Sequence, residues 1–407
     1  MKRKNYILGI IHGLFFNSGL AASNSDTVLP IFLSLYFSSK TLVGLFSSFM
    51  RLGNIVPQLF TANVLEYRQR KKPVLIVVIT LRFFCFLSMA LLTFFFGTNK
   101  PFMAVVIPLL LLTYSLGGGV ASIPFYDIIA KAIPSKYRGT FFAQRLFWGN
   151  LGGMAMGFLV RFILSGRVAF PQSYGLLFLT TAIFIGIAYL ALGNISEPEE
   201  KITQEKRSFK NFIKDASKTM KEDVLLRTSI ITEIISGSLY LSFPFLSIYA
   251  RDVIGMKIGV IGYFISLYML GAILSNLLWG FVSRKKGNGA VIFLSSLLPF
   301  LSILLFIINP LLLSVSFFFV GCYRSGRIVG FANFNLDIAK KGKRPLYISL
   351  RGTLISVMWL FPILGGYIVD IFSYKTLFLI TLFSTFTGIL LSTFLLRQIK
   401  GRQSRRR

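Results

Sequence analysis

The chain has 407 residues, of which 54% are hydrophobic, and its formal net charge is +30. This apolar fraction excludes an ordinary soluble domain, because so many apolar side chains are buried only by long helices in lipid. The charge does not indicate a nucleic-acid partner, since the basic residues lie in short clusters between apolar runs and form no folded basic domain.

Twelve apolar runs follow one another along the chain. Each reaches the roughly 20 residues that a helix needs to span a bilayer. The runs are continuous rather than alternating, which argues against strands. They lie near residues 6–37, 41–65, 73–96, 101–126, 140–164, 173–194, 226–250, 258–282, 289–308, 310–336, 346–371 and 375–396. The sequence therefore predicts an all-α membrane protein with twelve transmembrane helices in two six-helix bundles.

A polar segment separates the sixth run from the seventh and sets the predicted domains. These are an N-terminal bundle (1–195), a cytoplasmic linker (196–224), a C-terminal bundle (225–398) and a basic cytoplasmic tail (399–407). Apolar residues recur at helical spacing within the linker, which predicts an amphipathic helix on the inner membrane face. They are Phe209, Phe212, Ile213, Ala216 and Met220. A plain solvated linker is the alternative.

The placement of basic residues predicts the topology. Most of the 44 Lys and Arg residues fall in segments that lie on one side of the membrane if the N-terminus is cytoplasmic. Such an excess on one side predicts that both termini are cytoplasmic. We expect a multi-pass monomer of the cytoplasmic (inner) membrane, with its basic segments against the anionic inner leaflet.

Short motifs recur in the two halves in the same order. FLSLY at 32–36 matches FLSIY at 245–249, and the surroundings of Asp127 match those of Asp337. Several such matches indicate internal duplication. Parallel six-helix halves are typical of transporters, with the solute site between the halves near the membrane midplane.

Two loops carry a resemblance to a family. ANVLEYRQRKK, at 62–72, resembles the loop between helices 2 and 3 of the major facilitator superfamily, with Glu66 at its acidic position. Arg70 matches a final base of that signature, whereas Ala62, Tyr67 and Gln69 depart from it. DIIAKAIPSKYRG, at 127–139, resembles the loop after helix 4. With the topology and the duplication, the resemblance covers the whole chain and identifies no subfamily.

The resemblance implies secondary transport of a small-molecule solute by alternating access. It also implies a cytoplasmic gate, in which Glu66 contacts the region of Arg351 and Arg70 contacts the region of Asp127. The predicted gate residues are Glu66, Arg70, Asp127, Arg145, Asp337 and Arg351. A carboxylate at a helix N-terminus is stabilised by the helix dipole. The alternative for Glu66 is a solvated residue at the membrane surface.

Charged residues inside the predicted helices indicate where solute binds, because an ionised group at the bilayer centre is costly unless it faces a cavity or a partner. Four of them lie near mid-depth: Arg51, Arg82, Arg324 and Arg327. Arginine binds carboxylates and phosphates bidentately. We therefore predict that these residues bind a small organic anion.

Internal pairing is the alternative for these arginines, since buried charges are usually paired. The deep acids are Asp26 and Glu233. Asp26 would pair with Arg51 or Arg82, and Glu233 with Arg324 or Arg351.

Asp26 and Glu233 are also the candidates for proton coupling, because a carboxylate that alternates between an apolar cavity and an arginine neighbour can bind and release a proton. If ion pairs hold both acids, exchange of one anion for another replaces proton coupling. Two further functions are compatible with the sequence. One is a cation or drug efflux antiporter that uses these two acids, and the second is a non-cycling lipid mover or receptor of the same fold.

We expect no enzymatic activity, no cofactor and no metal. The single histidine, His12, rules out a multi-histidine site, and Cys85 and Cys322 lie within apolar runs. The small residues of GNLGGMAMG, at 149–157, predict close helix packing.

Overall fold

The computed structural model describes residues 2–53, 57, 61, 69–166, 168–198, 209–339 and 343–404. Side chains are described for these residues except 2, 209–215, 345 and 402–404. The described residues form helices joined by turns, and no strand occurs among them. The all-α prediction is confirmed.

Sixteen α-helices occur in the described residues. In chain order they are α1 (Lys2–Ala22), α2 (Val28–Ser34), α3 (Lys40–Leu52), α4 (Lys72–Phe96), α5 (Lys100–Ala132), α6 (Ser135–Leu164), α7 (Gln172–Gly193), α8 (Phe209–Glu222), α9 (Val224–Ser236), α10 (Phe243–Asp252), α11 (Val260–Lys286), α12 (Asn288–Ile308), α13 (Leu313–Ile338), α14 (Arg344–Ile355), α15 (Phe361–Ile371) and α16 (Tyr374–Ser404). Short 3-10 segments lie at Gly237–Leu241, Pro310–Leu312 and Ser356–Leu360.

Ten helical segments among the described residues are long and apolar enough to cross a membrane. They correspond to the third through twelfth predicted runs. The first run, 6–37, is divided between α1 and α2, and the second, 41–65, lies only partly within the described residues. The count of twelve helices and the cytoplasmic position of both termini stay predictions.

The first helical segment of each sequence repeat is interrupted at the same place. A turn at 23–27 separates α1 from α2, and the 3-10 segment Gly237–Leu241 separates α9 from α10. In the register that FLSLY and FLSIY set, 23–27 corresponds to 236–240. The shared interruption agrees with internal duplication. Within the candidate span Val224–Asp252 it interrupts the α-helix, and irregular backbone in a span is tolerated where protein or a cavity surrounds it.

The chain divides into two compact units. The first unit comprises Met1–Thr203 with Pro244–Met269, and the second comprises Gln204–Phe243 with Leu270–Arg407. In the first, α1 packs against α6 and α7, and α4 against α5 and α7. In the second, α12 packs against α13 and α16, and α9 against α16. The predicted domain boundaries at 195 and 225 stay predictions.

Capping side chains begin several of these helices. Ser39, Asn99 and Asp223 each accept a hydrogen bond from a backbone N–H in the first turn of α3, α5 and α9. Such caps satisfy donors that the helix itself leaves unpaired. The basic cluster at 284–286 occupies the last turn of α11, where cations complement the helix dipole. Gly287 follows with φ +80°, a conformation that favours glycine.

The linker contains α8, at the position of the predicted amphipathic helix. Ala216 and Thr219 are buried, whereas Lys218 is exposed. Met220 packs against a cluster that contains Leu226. The end of α8 thus covers apolar side chains of the second unit, and its contact with a membrane stays a prediction.

Small residues bring α6 and α11 into close contact. A Cβ at Gly262 would lie 2.3 Å from the carbonyl oxygen of Gly157. Ser266 Oγ also donates a hydrogen bond to the carbonyl oxygen of Met154 at 2.9 Å. Glycine at this crossing therefore lets the two backbones approach closely.

Candidate functional site

Asp26 lies in the turn between α1 and α2 and is paired with Arg51. Its backbone N–H donates to Asn24 Oδ1 at 2.9 Å. Arg51, in the last turn of α3, donates from Nη2 to Asp26 Oδ2. The Asp26 side chain is only 5% exposed. This geometry agrees with internal pairing of Asp26 and Arg51, which is the alternative to solute binding by Arg51.

Arg82, on α4, is buried among aromatic rings. Its Nε donates to the carbonyl oxygen of Tyr114 at 3.1 Å. The guanidinium carbon lies 4.1 Å from the centre of the Tyr114 ring, 5.7 Å from Phe16 and 5.8 Å from Tyr189. These rings stabilise the cation through their π faces. Among the described residues no carboxylate pairs with Arg82, in contrast to Arg51.

His12, on α1, contacts the same Phe16 ring as Arg82 and interacts with Arg82 electrostatically, and Arg145, on α6, bonds to His12. Arg145 Nη2 is 3.2 Å from His12 Nδ1. A guanidinium only donates hydrogen bonds, so Nδ1 accepts and the imidazole carries its single proton on Nε2. The imidazole lies between Phe16 and Phe125, each with its ring centre 5.4 Å away. Arg145, predicted as a gate residue, is therefore a partner of His12 in this structure.

We call these side chains the Arg82 cluster: His12, Phe16, Arg82, Tyr114, Phe125, Arg145 and Tyr189. The hydroxyls of Tyr114 and Tyr189 are buried and interact with each other. The Nε of Arg145 is buried and has no hydrogen-bond partner. Buried polar atoms are normally satisfied, so the unsatisfied Nε of Arg145 requires an explanation.

Glu233 is the centre of a second charged group, in the second unit. It is fully buried in the last turn of α9. Arg351 donates from Nε to Oε2 at 2.8 Å and from Nη2 to Oε1 at 2.7 Å. Arg327 donates from Nη1 to Oε1 at 3.1 Å. One carboxylate thus holds two guanidinium groups, which leaves this group with a net charge of one positive unit.

The sequence allows Glu233 to pair with Arg324 or Arg351, and the structure has the second of these pairs. The sequence predicts Arg327 only as a solute ligand and not as a partner of Glu233. Arg324 lies three residues before Arg327 on α13, which is less than one helical turn, and is partly exposed. Arg51 and Arg82 belong to the first unit, and Arg324 and Arg327 belong to the second.

Part of the predicted gate lies beyond what the structure describes. Glu66 is outside the described residues, and Arg70 is exposed. Asp127, near the end of α5, has Lys71 Nζ at 2.9 Å and Lys131 Nζ at 2.8 Å. The segment that contains Arg70 therefore reaches Asp127 through the neighbouring Lys71.

Glu197 joins this group, although no sequence motif predicts it. Its carboxylate accepts from the backbone N–H groups of Lys71 at 3.0 Å and Lys72 at 2.9 Å, at the start of α4. Lys131 Nζ lies 3.7 Å away. The side chain is only 3% exposed. A carboxylate here satisfies unpaired helix donors and meets the positive end of the dipole.

Asp337 has the corresponding position in the second unit. It accepts from Asn288 Nδ2 at 2.7 Å, at the start of α12. Asp127 similarly reaches the start of α4 through Lys71. Each acid thus links the end of one helix to the start of another, as the internal duplication predicts.

Comparison with known proteins gives a family match for the C-terminal part of the chain. The sequence model of the Major Facilitator Superfamily matches residues 228–407. No curated protein sequence matches.

Solved transporter structures share the fold over almost the whole chain. A variant of the nucleoside transporter NupG has a TM-score of 0.73 at 16% identity, covering 97% of this chain and 99% of that one. A bacterial homologue of the iron transporter ferroportin, in its inward-facing state, has a TM-score of 0.72 at 14% identity, covering 96% and 98%. A D-xylose–proton symporter has a TM-score of 0.67 at 14% identity, covering 96% of each chain.

At these identities the likeness shows the shared fold alone and nothing of the solute. The family model confirms the resemblance to the major facilitator superfamily over residues 228–407, without assigning a subfamily, and the shared fold over nearly the whole chain agrees with it.

Proposed function

We propose that this protein is a secondary active transporter that moves a small organic anion across the cytoplasmic membrane by alternating access. Arg82 carries the proposal. It is 8% exposed, and among the described residues no carboxylate pairs with it. A buried guanidinium without a counterion is costly in a membrane protein. Its presence is explained if an anion arrives as solute.

The chemistry of Arg82 defines the class of solute. Its Nε is committed to the carbonyl oxygen of Tyr114, and its outer nitrogens suit the paired oxygens of a carboxylate or phosphate. The buried hydroxyls of Tyr114 and Tyr189 add donors for the same oxygens. We therefore place the negatively charged group of the solute at this cluster.

The remaining three predicted arginines have a different role in this proposal. Arg51 and Arg327 already hold Asp26 and Glu233. They contact solute only in a state of the cycle in which the anion replaces a carboxylate. Arg324 lies on the same face of α13 as Arg327. We propose that it also contacts solute only in that state of the cycle.

Efflux of cations is the less favoured function. It requires Asp26 and Glu233 to present negative charge, yet each carboxylate is neutralised by arginine within its own unit. A cationic solute would have to displace a guanidinium that donates charge-assisted hydrogen bonds. The same ion pairs weaken the proposal that these two acids carry the coupled proton.

The gate is also part of the proposal. Lys71, Asp127, Lys131 and Glu197 form a compact charged group in the first unit. Exposed ion pairs contribute little, but Glu197 is buried and its bonds go to backbone donors. We expect this group to hold the start of α4 while Glu66, Arg70 and Arg351 change partners during transport.

The proposal is tested by uptake into proteoliposomes with and without a pH gradient. The panel compares phosphate, succinate and a nucleoside monophosphate with a lipophilic cation and a neutral sugar. We expect uptake of at least one anion, which Arg82→Gln lowers at least about tenfold because a lost charge-assisted contact is worth roughly 1.5–3 kcal/mol.

The matched control is Arg397→Gln, which removes the same charge from an exposed position on α16. Its uptake should equal that of the unaltered protein. Uptake of the cation alone, abolished by Asp26→Asn, would reject anion transport in favour of cation efflux.

A further inference from the structure

We propose that His12 is the proton-coupling residue, so that one proton and the anion bind together at the Arg82 cluster. The inference rests on the proposed function and adds the coupling ion and the residue that carries it. His12 is the single histidine of the chain and is 4% exposed. Asp26 and Glu233, the acids that the sequence favours for this role, are both held by arginine.

The hydrogen bond between His12 and Arg145 fixes the starting state. Arg145 Nη2 donates to Nδ1 at 3.2 Å, so Nδ1 carries no proton and the imidazole is neutral. Protonation at Nδ1 would remove this acceptor and place two donors face to face. The empty site therefore favours neutral His12.

The groups around His12 strengthen this preference. The guanidinium groups of Arg145, from α6, and Arg82, from α4, both act on the imidazole electrostatically. Helix α5 contributes the ring of Phe125, and α7 contributes Tyr189, which lies beyond Phe16. Among the described residues no carboxylate pairs with either arginine. A proton on His12 would be a third positive charge without a counterion.

A bound anion reverses that balance. Its negative charge offsets the added proton, and its oxygens accept from Nδ1–H in place of the bond that Arg145 loses. The side chain of Arg145 then turns its donors, including the unsatisfied Nε, to the same anion. Each ligand thus favours the other, and the coupling is reciprocal by thermodynamic linkage. The anion and proton cross together, which makes the protein a symporter.

The single histidine makes the first test direct. Protein with 15N-labelled histidine and a purification tag without histidine gives one imidazole spectrum. At neutral pH we expect the pattern of the Nε2–H tautomer, and conversion to imidazolium when saturating phosphate or succinate is added. Arg82→Gln, which weakens anion binding, should prevent the conversion at the same anion concentration. An anion that binds while His12 stays neutral overturns the inference.

Transport supplies the second test. His12→Asn keeps an oxygen acceptor for Arg145 but cannot take up a proton. We expect this variant to exchange internal for external anion more slowly than the unaltered protein, because the anion loses the Nδ1–H donor, and to lose accumulation driven by a pH gradient altogether. For one proton per singly charged anion, the unaltered protein should accumulate solute about tenfold for each pH unit.

The outcomes separate the two proposals. If no anion on the panel binds or is taken up, the proposed function itself is rejected. If anions are transported but His12→Asn still accumulates them in a pH gradient, anion transport stands and His12 is not the coupling residue. If His12→Asn does not fold, the imidazole spectrum of the unaltered protein decides.

Discussion

Arg351 donates two parallel hydrogen bonds to Glu233, from Nε to Oε2 at 2.8 Å and from Nη2 to Oε1 at 2.7 Å. Arg327 adds a third at 3.1 Å to Oε1. The bidentate contact joins α9 to α14, and the additional contact joins α9 to α13. Glu233 therefore connects three helices of the second unit.

This arrangement predicts an order of stability among variants. Glu233→Leu leaves the buried Arg327 and the partly buried Arg351 without a counterion and should destabilise the protein by about 3–5 kcal/mol. Arg351→Met leaves Arg327 paired with Glu233 and brings the net charge of the group to zero, so it should destabilise less. Apparent melting temperatures in detergent measure the order. Equal losses, or a larger loss for Arg351→Met, would show that Arg327 does not neutralise Glu233.

A second prediction concerns Asp26 and Arg51. We expect a double-mutant cycle with Asp26→Asn and Arg51→Gln to give a coupling energy of about 1.5–3 kcal/mol, because the acceptor is charged and buried. The control is the exposed pair of Lys218 and Glu222, at 3.8 Å on α8, which should give between about 0 and 1 kcal/mol. Similar coupling in both cycles contradicts a structural role for Asp26.

The sequence limits the partners of these charges without choosing between them. It allows Asp26 to meet Arg51 or Arg82, and the structure has Arg51. It allows Glu233 to meet Arg324 or Arg351, and the structure has Arg351 with Arg327. Residues 324 and 327 differ by less than one helical turn, so the rotation of α13 decides which of them reaches Glu233. No local pattern encodes that rotation.

Long helices are predictable because their apolar runs are continuous, whereas features that depend on distant contacts are not. Glu197 lies 126 residues from Lys71 in sequence, and only the fold brings it to the start of α4. Its signal is an acid directly after the sixth apolar run, on a side otherwise rich in bases. The single histidine excludes a multi-histidine site, but composition does not reveal that His12 bonds to Arg145 and interacts electrostatically with Arg82.

Glu197 yields a third prediction, on the start of α4. Glu197→Ala removes the acceptor for two backbone N–H groups, so amide exchange in peptides covering residues 71–75 should accelerate about fivefold, the equivalent of roughly 1 kcal/mol for a lost cap. Glu197→Gln retains an oxygen and should give a smaller effect. Hydrogen-exchange mass spectrometry measures both.

The control for Glu197 is Glu222→Ala, which removes an acid that is 48% exposed from α8. It should leave exchange at residues 71–75 unchanged. If Glu197→Ala also leaves it unchanged, the carboxylate does not stabilise the helix start.

The last prediction concerns the crossing of α6 and α11. An alanine Cβ at Gly262 would lie 2.3 Å from the carbonyl oxygen of Gly157, so backbone must move to admit it. Such overpacking costs typically about 1–3 kcal/mol, and Gly262→Ala should lower the apparent melting temperature. Gly139→Ala is the matched control, because it makes the same change on α6 at a position with nothing within 4 Å. There the helix propensity of alanine, up to about 1 kcal/mol better than glycine, should leave the melting temperature unchanged or raise it. The close crossing is rejected if both variants melt at or above the temperature of the unaltered protein, since propensity alone would then account for both results.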